Sequence, residues 1–176
     1  MEKSYLQHAH IRLRSVEPED LEFIYQVEND PELWEVSQTS VPFSRYILKQ
    51  YLENSRCDLF ADRQLRLMIE SRKTGEIAGM IDLADFEPLH SRAAAGIMVR
   101  TDYRNQGIGQ EALELLCRYG REHLHLNQLY AYIPADNEYS LKLFASCGFE
   151  RSGVLKEWLR SGNCYKDAVL VQKLFS

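Results

Sequence analysis

An apolar strand that runs directly into a glycine-containing loop and a long helix constrains this chain more than any other feature. Residues 93–100 are apolar through Ala95-Gly96-Ile97-Met98-Val99, as in a central strand that is covered on both faces. After a loop with Gly107 and Gly109, apolar residues share one face of a predicted helix over residues 107–123. The segment therefore predicts a strand, a loop and a helix within a sheet-based domain.

The loop is suited to binding a phosphate group. The first backbone N–H groups of a helix have no partner within the helix, and the helix dipole favours an anion beside them. Glycines at 107 and 109 let the main chain approach a ligand, and Arg104 can add charge-assisted hydrogen bonds. The spacing matches neither a Walker loop nor a dinucleotide fingerprint. A turn that merely starts a helix is the alternative explanation of the glycines.

The remaining periodicities predict a mixture of helices and strands. Further strands are predicted at residues 11–16, 65–70, 77–86, 129–133, 151–159 and 165–174, and further helices at 18–29, 44–56 and 138–146. Asp30-Pro31 is interpreted as the end of the first helix. Because no linker or internal repeat divides the sequence, we expect one α/β or α+β domain over residues 1–176, built on a single mixed sheet.

Composition and charge exclude several classes of protein. The 176 residues include 21 basic and 26 acidic side chains, a net charge of −5, so the chain lacks the basic surface of a nucleic-acid binder. No segment approaches the roughly 20 apolar residues of a membrane span, and the N-terminus lacks the apolar segment of a signal peptide. We expect no membrane association and a cytoplasmic location. The four cysteines show no zinc-ligand spacing, so no metal is expected.

Two motifs resemble those of the GNAT superfamily of acyl-CoA-dependent N-acetyltransferases. The signature Q/R-x-x-G-x-G/A is matched by Arg104-Asn105-Gln106-Gly107-Ile108-Gly109. A second segment, N-x-x-S/A-x-x-x-Y/F followed by G-F, is matched by Asn137-Glu138-Tyr139-Ser140-Leu141-Lys142-Leu143-Phe144 and then Gly148-Phe149. The resemblance covers nearly all of the chain and is greatest to the branch of ribosomal-protein N-terminal acetyltransferases and spermidine acetyltransferases. It implies a mostly antiparallel, mixed sheet of six to seven strands that is splayed into a V and flanked by about four helices.

The resemblance also implies acetyl-CoA as the co-substrate. The strand end and the loop would hold the pantetheine arm and the pyrophosphate, and the next helix would reach the arm from the other side of the V. A backbone N–H near Met98 or Val99 would contact the pantetheine or stabilise the oxyanion. The implied cofactor residues are Ile97, Met98, Val99, Arg104, Asn105, Gln106, Gly107, Ile108, Gly109, Gln110, Asn137, Ser140 and Phe144.

Two positions depart from the pattern of many relatives. The glutamate that often stands two residues before the strand glycine is Ala94 here, and the helix tyrosine that often protonates the leaving thiolate is Phe144. An alkylammonium with a pKa near 10.4 must lose a proton before it attacks a thioester, so a base is required. We rank Asp82 first, since its strand adjoins the cofactor strand, and Tyr139 is a second catalytic candidate. Pairing of Asp82 with an arginine and a surface position for Tyr139 are the simpler alternatives.

The acceptor side is predicted from the superfamily, in which the first two helices and their connection shape it. Trp34, Glu35, Phe43 and Asp85 are the candidates there, although core packing or surface charge explains each of them as well. We expect the chain to transfer an acetyl group from acetyl-CoA to a primary amine, of a small molecule or a peptide N-terminus, by direct attack in a ternary complex.

Other functions fit parts of the same sequence. A non-catalytic acyl-CoA-binding module is the main alternative, because of Ala94 and Phe144, and an unrelated nucleotide-phosphate binder is a third. A homodimer that pairs through the C-terminal strands is also expected from the superfamily, since residues 165–174 are sufficiently apolar.

Overall fold

The computed structural model describes residues 4–37, 40–55 and 58–176, without the side chains of residues 35–37. Short 3-10 helices occupy Pro18–Asp20, Pro88–His90 and Thr101–Tyr103. The longer elements are β1 (Ile11–Ser15), α1 (Leu21–Glu28), α2 (Pro31–Ser37), α3 (Arg45–Asn54), α4 (Leu59–Asp62), β2 (Leu65–Ser71), β3 (Ile77–Glu87), β4 (Arg92–Val99), α5 (Ile108–Glu122), β5 (Gln128–Pro134), α6 (Glu138–Ser146), β6 (Glu150–Ser161) and β7 (Cys164–Leu174).

One sheet contains all seven strands, in the order β1-β2-β3-β4-β5-β7-β6. Neighbouring strands are antiparallel except for β4 and β5, which are parallel. Their register runs only from Arg92 opposite Gln128 to Ala94 opposite Tyr130. Beyond that point β4 continues to Val99 and β5 to Pro134 without a shared register among the described residues. A V-shaped cleft therefore opens between their carboxyl ends, and the mixed, splayed sheet is confirmed.

The alternation of side chains along the strands divides the core between the two faces of the sheet. On the α5 face, Leu67 and Ile81 pack with the apolar side of α5, which includes Leu116. On the α1–α3 face, Met68 and Met80 pack with Ile24 of α1 and Leu48 of α3, and the half-buried Met98 joins them. The strand β4 therefore has one apolar face towards each layer, as the sequence predicted.

The N-terminal half differs most from the prediction. The helix α1 ends at Glu28, just before Asp30-Pro31, as predicted, but the helix α2, which begins at Pro31, was not predicted; a proline needs no amide hydrogen bond in the first turn of a helix. The four-residue helix α4 was not predicted either. Ser44 does cap α3, since its hydroxyl accepts a hydrogen bond from the Ile47 amide at 3.1 Å. No helix among the described residues is long and apolar enough to cross a membrane.

Candidate active site

The backbone of β4 borders the cleft with two of its peptide groups. The Arg100 amide donates to the Ala78 carbonyl at 2.8 Å, so it faces β3. In an antiparallel ladder residues two apart face the same neighbour, and Met98 accordingly places its carbonyl oxygen against Gly79 of β3. Val99 and Ile97 therefore face the cleft. Of the two predicted oxyanion donors, the N–H of Val99 has the right direction and that of Met98 does not.

The loop between β4 and α5 has a backbone that favours a bound anion. Asn105 and Gly107 adopt left-handed conformations, with φ of 57° and 79°. Gly107 is the N-cap residue of α5, and residues 104–107 are exposed at the mouth of the cleft. The first amides of α5 thus point out of the helix at its positive end, beside the splayed strands. This geometry fits the pyrophosphate of a CoA thioester.

Arg104 is the cation at this loop. Its Nε donates to the Val99 carbonyl at 3.1 Å, and its guanidinium lies 5.9 Å from the centre of the Tyr139 ring. The side-chain amides of Gln106 and Gln110 are engaged within the protein, with the Asp102 carbonyl and the Glu114 carboxylate. Within the described ranges Arg104 has no ion-pair partner, so its charge remains available to a phosphate group.

Gly109 has a different role from the one predicted. A side chain at this position would meet Leu143 at 3.3 Å and the Tyr139 hydroxyl at 3.4 Å. The absence of a side chain therefore lets α5 and α6 approach each other, and it does not serve the approach of a ligand to the backbone. The same contact places the Tyr139 hydroxyl beside the first turn of α5, at the phosphate end of the cleft, which argues against its predicted role in proton transfer at the thioester.

The helix α6 begins at the opposite side of the cleft. Asn137 caps it, because its side-chain oxygen accepts the Ser140 amide at 3.1 Å, so only the amide group of Asn137 is left to donate to a ligand. Phe144 is 2% exposed and packs edge-on against Phe149, with ring centres 4.9 Å apart. We assign Phe144 to the core and not to the cofactor contacts predicted for it.

On the α1–α3 face, Asp82 belongs to a three-residue charge cluster. Arg66 donates to both oxygens of Asp82, at 2.9 and 3.0 Å, and to Glu28 at 2.7 Å. Burial opposes the charge on Arg66, but the two carboxylates hold its pKa above the usual range. The simpler reading of Asp82, an arginine partner, is therefore correct, and the cluster carries a net charge of −1.

The position of Asp82 still places it beside the cofactor strand. It is paired in register with Gly96 of β4, and a side chain built on Gly96 would lie 4.0 Å from the Asp82 Cβ. Gly96 is exposed and has no side chain, so no side chain covers the backbone of β4 at this point. Each Asp82 oxygen uses one lone pair for Arg66 and keeps another for a proton donor.

A group of aromatic side chains on the same face was missed by the sequence analysis. Tyr130 is opposite Ala94 in the last β4–β5 pair, and its ring centre lies 5.6 Å from that of Tyr132, which lies 6.0 Å from that of Trp158. Burial and, secondarily, the nearby Asp85 raise the pKa of Tyr130. The alternation of Tyr130 and Tyr132 could have revealed two of these residues, but nothing local links them to Trp158, which is on β6.

The other acceptor-side candidates lie on or beside the first helices. The Trp34 indole donates to the Glu28 carbonyl at 2.9 Å, next to the charge cluster. Phe43 packs on the α1–α3 face, with its backbone held by Asn29, so it is mainly a core residue. The Glu35 side chain lies outside the described part of the structure. Asp85 is exposed, in a bulge of β3 with a φ of 47°.

A separate cavity of about 630 Å³ lies between α3, the beginning of α1 and the β1–β2 edge. Its lining includes Tyr51, Leu52, Glu53 and Asp62, and Arg66 is its one residue from the charge cluster. None of the predicted site residues lines it. The cavity is therefore distinct from the cleft between β4 and β5.

Comparison with known proteins agrees with this geometry. A sequence model of the family described as Acetyltransferase (GNAT) domain matches residues 10–150. The spermidine N(1)-acetyltransferase of Escherichia coli strain K12 is 25% identical over 159 residues, which cover 90% of this chain and 83% of that protein. The uncharacterized N-acetyltransferase YoaA of Bacillus subtilis strain 168 is 31% identical over 97 residues, 55% of each chain.

Solved structures support the fold. The spermidine N-acetyltransferase of Vibrio cholerae, solved in complex with CoA and spermine, superimposes with a TM-score of 0.83 at 21% identity, covering 93% of this chain and 95% of that one. The family assignment and the use of acetyl-CoA predicted from the motifs are thus confirmed. The chain belongs to the GNAT acetyltransferase family and is an acetyl-CoA-dependent N-acetyltransferase.

Proposed function

We propose that the acceptor is a small, flexible polycation with a primary amine, of the polyamine class, and that it enters on the α1–α3 face. The observation that carries this proposal is the position of Asp82 opposite the bare Gly96 of β4, within a charge cluster of net negative sign. The exposed faces of Tyr132 and Trp158 border the same region, and aromatic faces attract ammonium groups. The resemblance to enzymes named for spermidine supports this class of acceptor.

Cofactor binding and amine activation are carried out by different parts of the chain. The Arg104–Gln110 loop, with the first amides of α5, binds the phosphates, and the Val99 N–H stabilises the oxyanion that forms at the thioester carbonyl, an interaction worth about 3 kcal/mol in comparable sites. Asp82 accepts a proton from the ammonium, directly or through a water molecule. The neutral amine then forms a C–N bond in the ternary complex, and the C–S bond breaks.

Tyr130 is our candidate for protonating the leaving thiolate. It stands at the apex of the cleft, whereas Tyr139 lies at the phosphate end and Phe144 has no proton to give. The raised pKa of Tyr130 keeps the phenol protonated at neutral pH. Because a thiolate is a tolerable leaving group, we expect Tyr130→Phe to lower kcat by no more than about 100-fold.

The proposal is tested by following CoA thiol release from acetyl-CoA with polyamines, aminoglycosides, amino acids and peptides of varied N-termini. We expect turnover with polyamines, and silence in Gly107→Trp, which fills the mouth of the cleft. Gly162→Trp is the matched control, because Gly162 also has a positive φ and open space around it but lies in the β6–β7 turn. Turnover with peptides alone would refute the polyamine class. Tight acetyl-CoA binding without turnover of any amine would instead favour a non-catalytic module, which no comparison supports.

Assembly and location remain predictions. The strand β7 is paired on both sides, with β5 and β6, so a dimer joined edge to edge at the C-terminal strands would have to use β6 instead of residues 165–174. We retain the homodimer and the cytoplasmic location as proposals, and sedimentation at micromolar concentration tests the first of them.

A further inference from the structure

Two histidines near the N-terminus converge with a glutamate of α5. The Nδ1 atom of His10 lies 2.5 Å from Oε1 of Glu111, and the Nδ1 atom of His8 lies 3.0 Å from Oε2. Ligand atoms of all three residues lie within 4.8 Å of one another, and among the described residues this is the one such group of histidine, cysteine and carboxylate side chains. Glu111 lies 101 positions after His10 in the sequence, so spacing rules could not detect the cluster.

The turn that carries the histidines is held in place by backbone hydrogen bonds. The His8 amide donates to the Ile11 carbonyl at 2.9 Å, and the Arg72 amide donates to the His10 carbonyl at 2.9 Å. The Arg72 side chain also donates to the His8 carbonyl, at 2.8 Å. Glu111 stands on the first turn of α5, with its amide bonded to the Gly107 carbonyl. All three side chains are therefore presented from ordered backbone, which favours ligand binding.

Hydrogen bonding within the cluster is incomplete. The Nδ1 atom of His8 and the Oε2 atom of Glu111 are buried and have no hydrogen-bond partner among the described residues, although they lie 3.0 Å apart. Buried polar atoms without partners are uncommon in folded proteins and call for an explanation such as a bound ion. The Glu111 side chain is 15% exposed and that of His10 is 72% exposed, so an ion at this position is reached from solvent.

We propose that His8, His10 and Glu111 bind a divalent transition-metal ion of the zinc class. Two imidazole nitrogens and one carboxylate suit zinc, cobalt or nickel, while calcium and magnesium prefer oxygen ligands alone. With zinc bonds of about 2.0–2.1 Å, tetrahedral ligand atoms lie about 3.3 Å apart; the observed separations of 2.5 and 3.0 Å are shorter, so the side chains would move apart to admit the ion. The metal would take the place between the histidines and the glutamate, and water would complete its coordination on the exposed side.

The ion would join the N-terminal segment to the helix that begins at the phosphate loop. Glu111 directly follows Gln110, the last residue of that loop, but His8 and His10 precede β1, and none of the three ligands belongs to the proposed acetyl-transfer machinery. The site is therefore structural, and its test needs no acetyl-transfer activity.

Zinc is titrated into the full chain, freed of metal by a chelator and without any histidine tag, in competition with a chromogenic chelator. We expect one zinc ion per chain, and an affinity at least about 100-fold lower in His10→Ala and Glu111→Gln, since loss of a direct ligand exceeds the 10- to 100-fold effect of an outer-shell partner. His90→Ala, which removes an exposed histidine of another loop, is the matched control and keeps the affinity of the parent chain.

Two further readouts separate ligation from folding. Zinc should raise the melting temperature of the parent chain and of His90→Ala but not that of Glu111→Gln, a substitution that preserves the size of the side chain. Cobalt should give visible absorption bands of low coordination number only where all three ligands are present. Equal zinc affinity in Glu111→Gln and the parent chain, or no saturable binding in the parent chain, would overturn the proposal.

Discussion

Replacement of Asp82 by asparagine isolates the proposed base from the charge cluster that contains it. Glu28→Gln is the matched comparison, because Arg66 loses one of its two carboxylate partners in either variant. Hydrogen bonds to charged groups contribute about 1.5–3 kcal/mol each; Glu28→Gln weakens one bond to Arg66 and Asp82→Asn weakens two, so both variants should lose stability, and Asp82→Asn should lose more. Only Asp82 is in register with Gly96 of the cofactor strand. A role in positioning Arg66 alone would therefore lower the activity of both variants in line with their losses of stability.

The catalytic effects should differ. Loss of a general base costs about 10²- to 10⁴-fold, or about 3–5 kcal/mol of transition-state stabilisation. We expect kcat/KM to fall by this factor in Asp82→Asn and by less than about tenfold in Glu28→Gln, measured with the best amine of the panel.

The pH profile gives an independent readout. At pH 7 about one in 2,500 molecules of an amine with a pKa near 10.4 is neutral, and that fraction grows tenfold with each pH unit. The deficit of Asp82→Asn should therefore shrink as the pH approaches 10, since the solvent then removes the proton. If the two variants lose the same activity, or if Asp82→Asn keeps the pH profile and kcat/KM of the parent chain, the assignment of Asp82 as the base is wrong.

Two further predictions concern stability. Gly79→Ala would place a Cβ against the Met98 carbonyl oxygen, a backbone atom that cannot rotate away, and we expect the free energy of unfolding in urea to fall by more than about 3 kcal/mol. The control Gly153→Ala, whose Cβ would have nothing within 4 Å, should change the free energy of unfolding by less than about 1 kcal/mol. Equal losses in the two variants would contradict the register of β3 and β4. Although burial favours the neutral acid, hydrogen bonds from Arg14 and from the Glu17 amide lower the pKa of Asp20 below its ordinary value of 3.8, so its contribution to stability is complete above that pH and is lost as the pH falls through the lowered value. The melting temperature should accordingly fall less between pH 7 and pH 3 in Asp20→Asn than in the parent chain, and parallel curves would contradict this.

Most strands and the long helix could be predicted because their signals are local. Alternation and apolar runs located β1 to β5 within one or two residues, and the helix α6 was predicted at its observed bounds, Glu138–Ser146. Pro31 ends the first helix as predicted, but α2 was missed because a proline can also begin a helix. Whether a helix begins at such a proline depends on whether the residues after it can pack on the rest of the fold. In this structure α2 packs on α1 and β6.

The residues of the candidate site likewise fall into those that local sequence reveals and those that only the fold brings together. The loop at residues 104–110 could be singled out because Arg104, Gly107 and Gly109 lie close together in the sequence, and phosphate binding there stays a prediction. The charge cluster was only half anticipated, since Glu28, Arg66 and Asp82 come from three elements and meet only in the folded sheet. The choice between Met98 and Val99 depends on which neighbour each peptide group faces, a property of the β3–β4 register and not of either residue.

Ala94, one of the two departures from the family pattern, lies where the cleft begins. Ala94 forms with Tyr130 the last parallel pair before the strands diverge, and Asp82 is opposite Gly96, two residues further along β4. Side chains at paired positions of neighbouring strands lie about 5 Å apart, so a carboxylate on β3 reaches the region that a side chain at position 94 would serve. Tyr130 carries a phenol proton at the same apex, whereas Phe144 has none to give and packs in the core. With the roles proposed for Tyr130 and Asp82, an acid and a base flank the cleft although both expected positions lack them, and for this reason we interpret Ala94 and Phe144 as a redistribution of the proton-transfer groups rather than as a loss of catalysis.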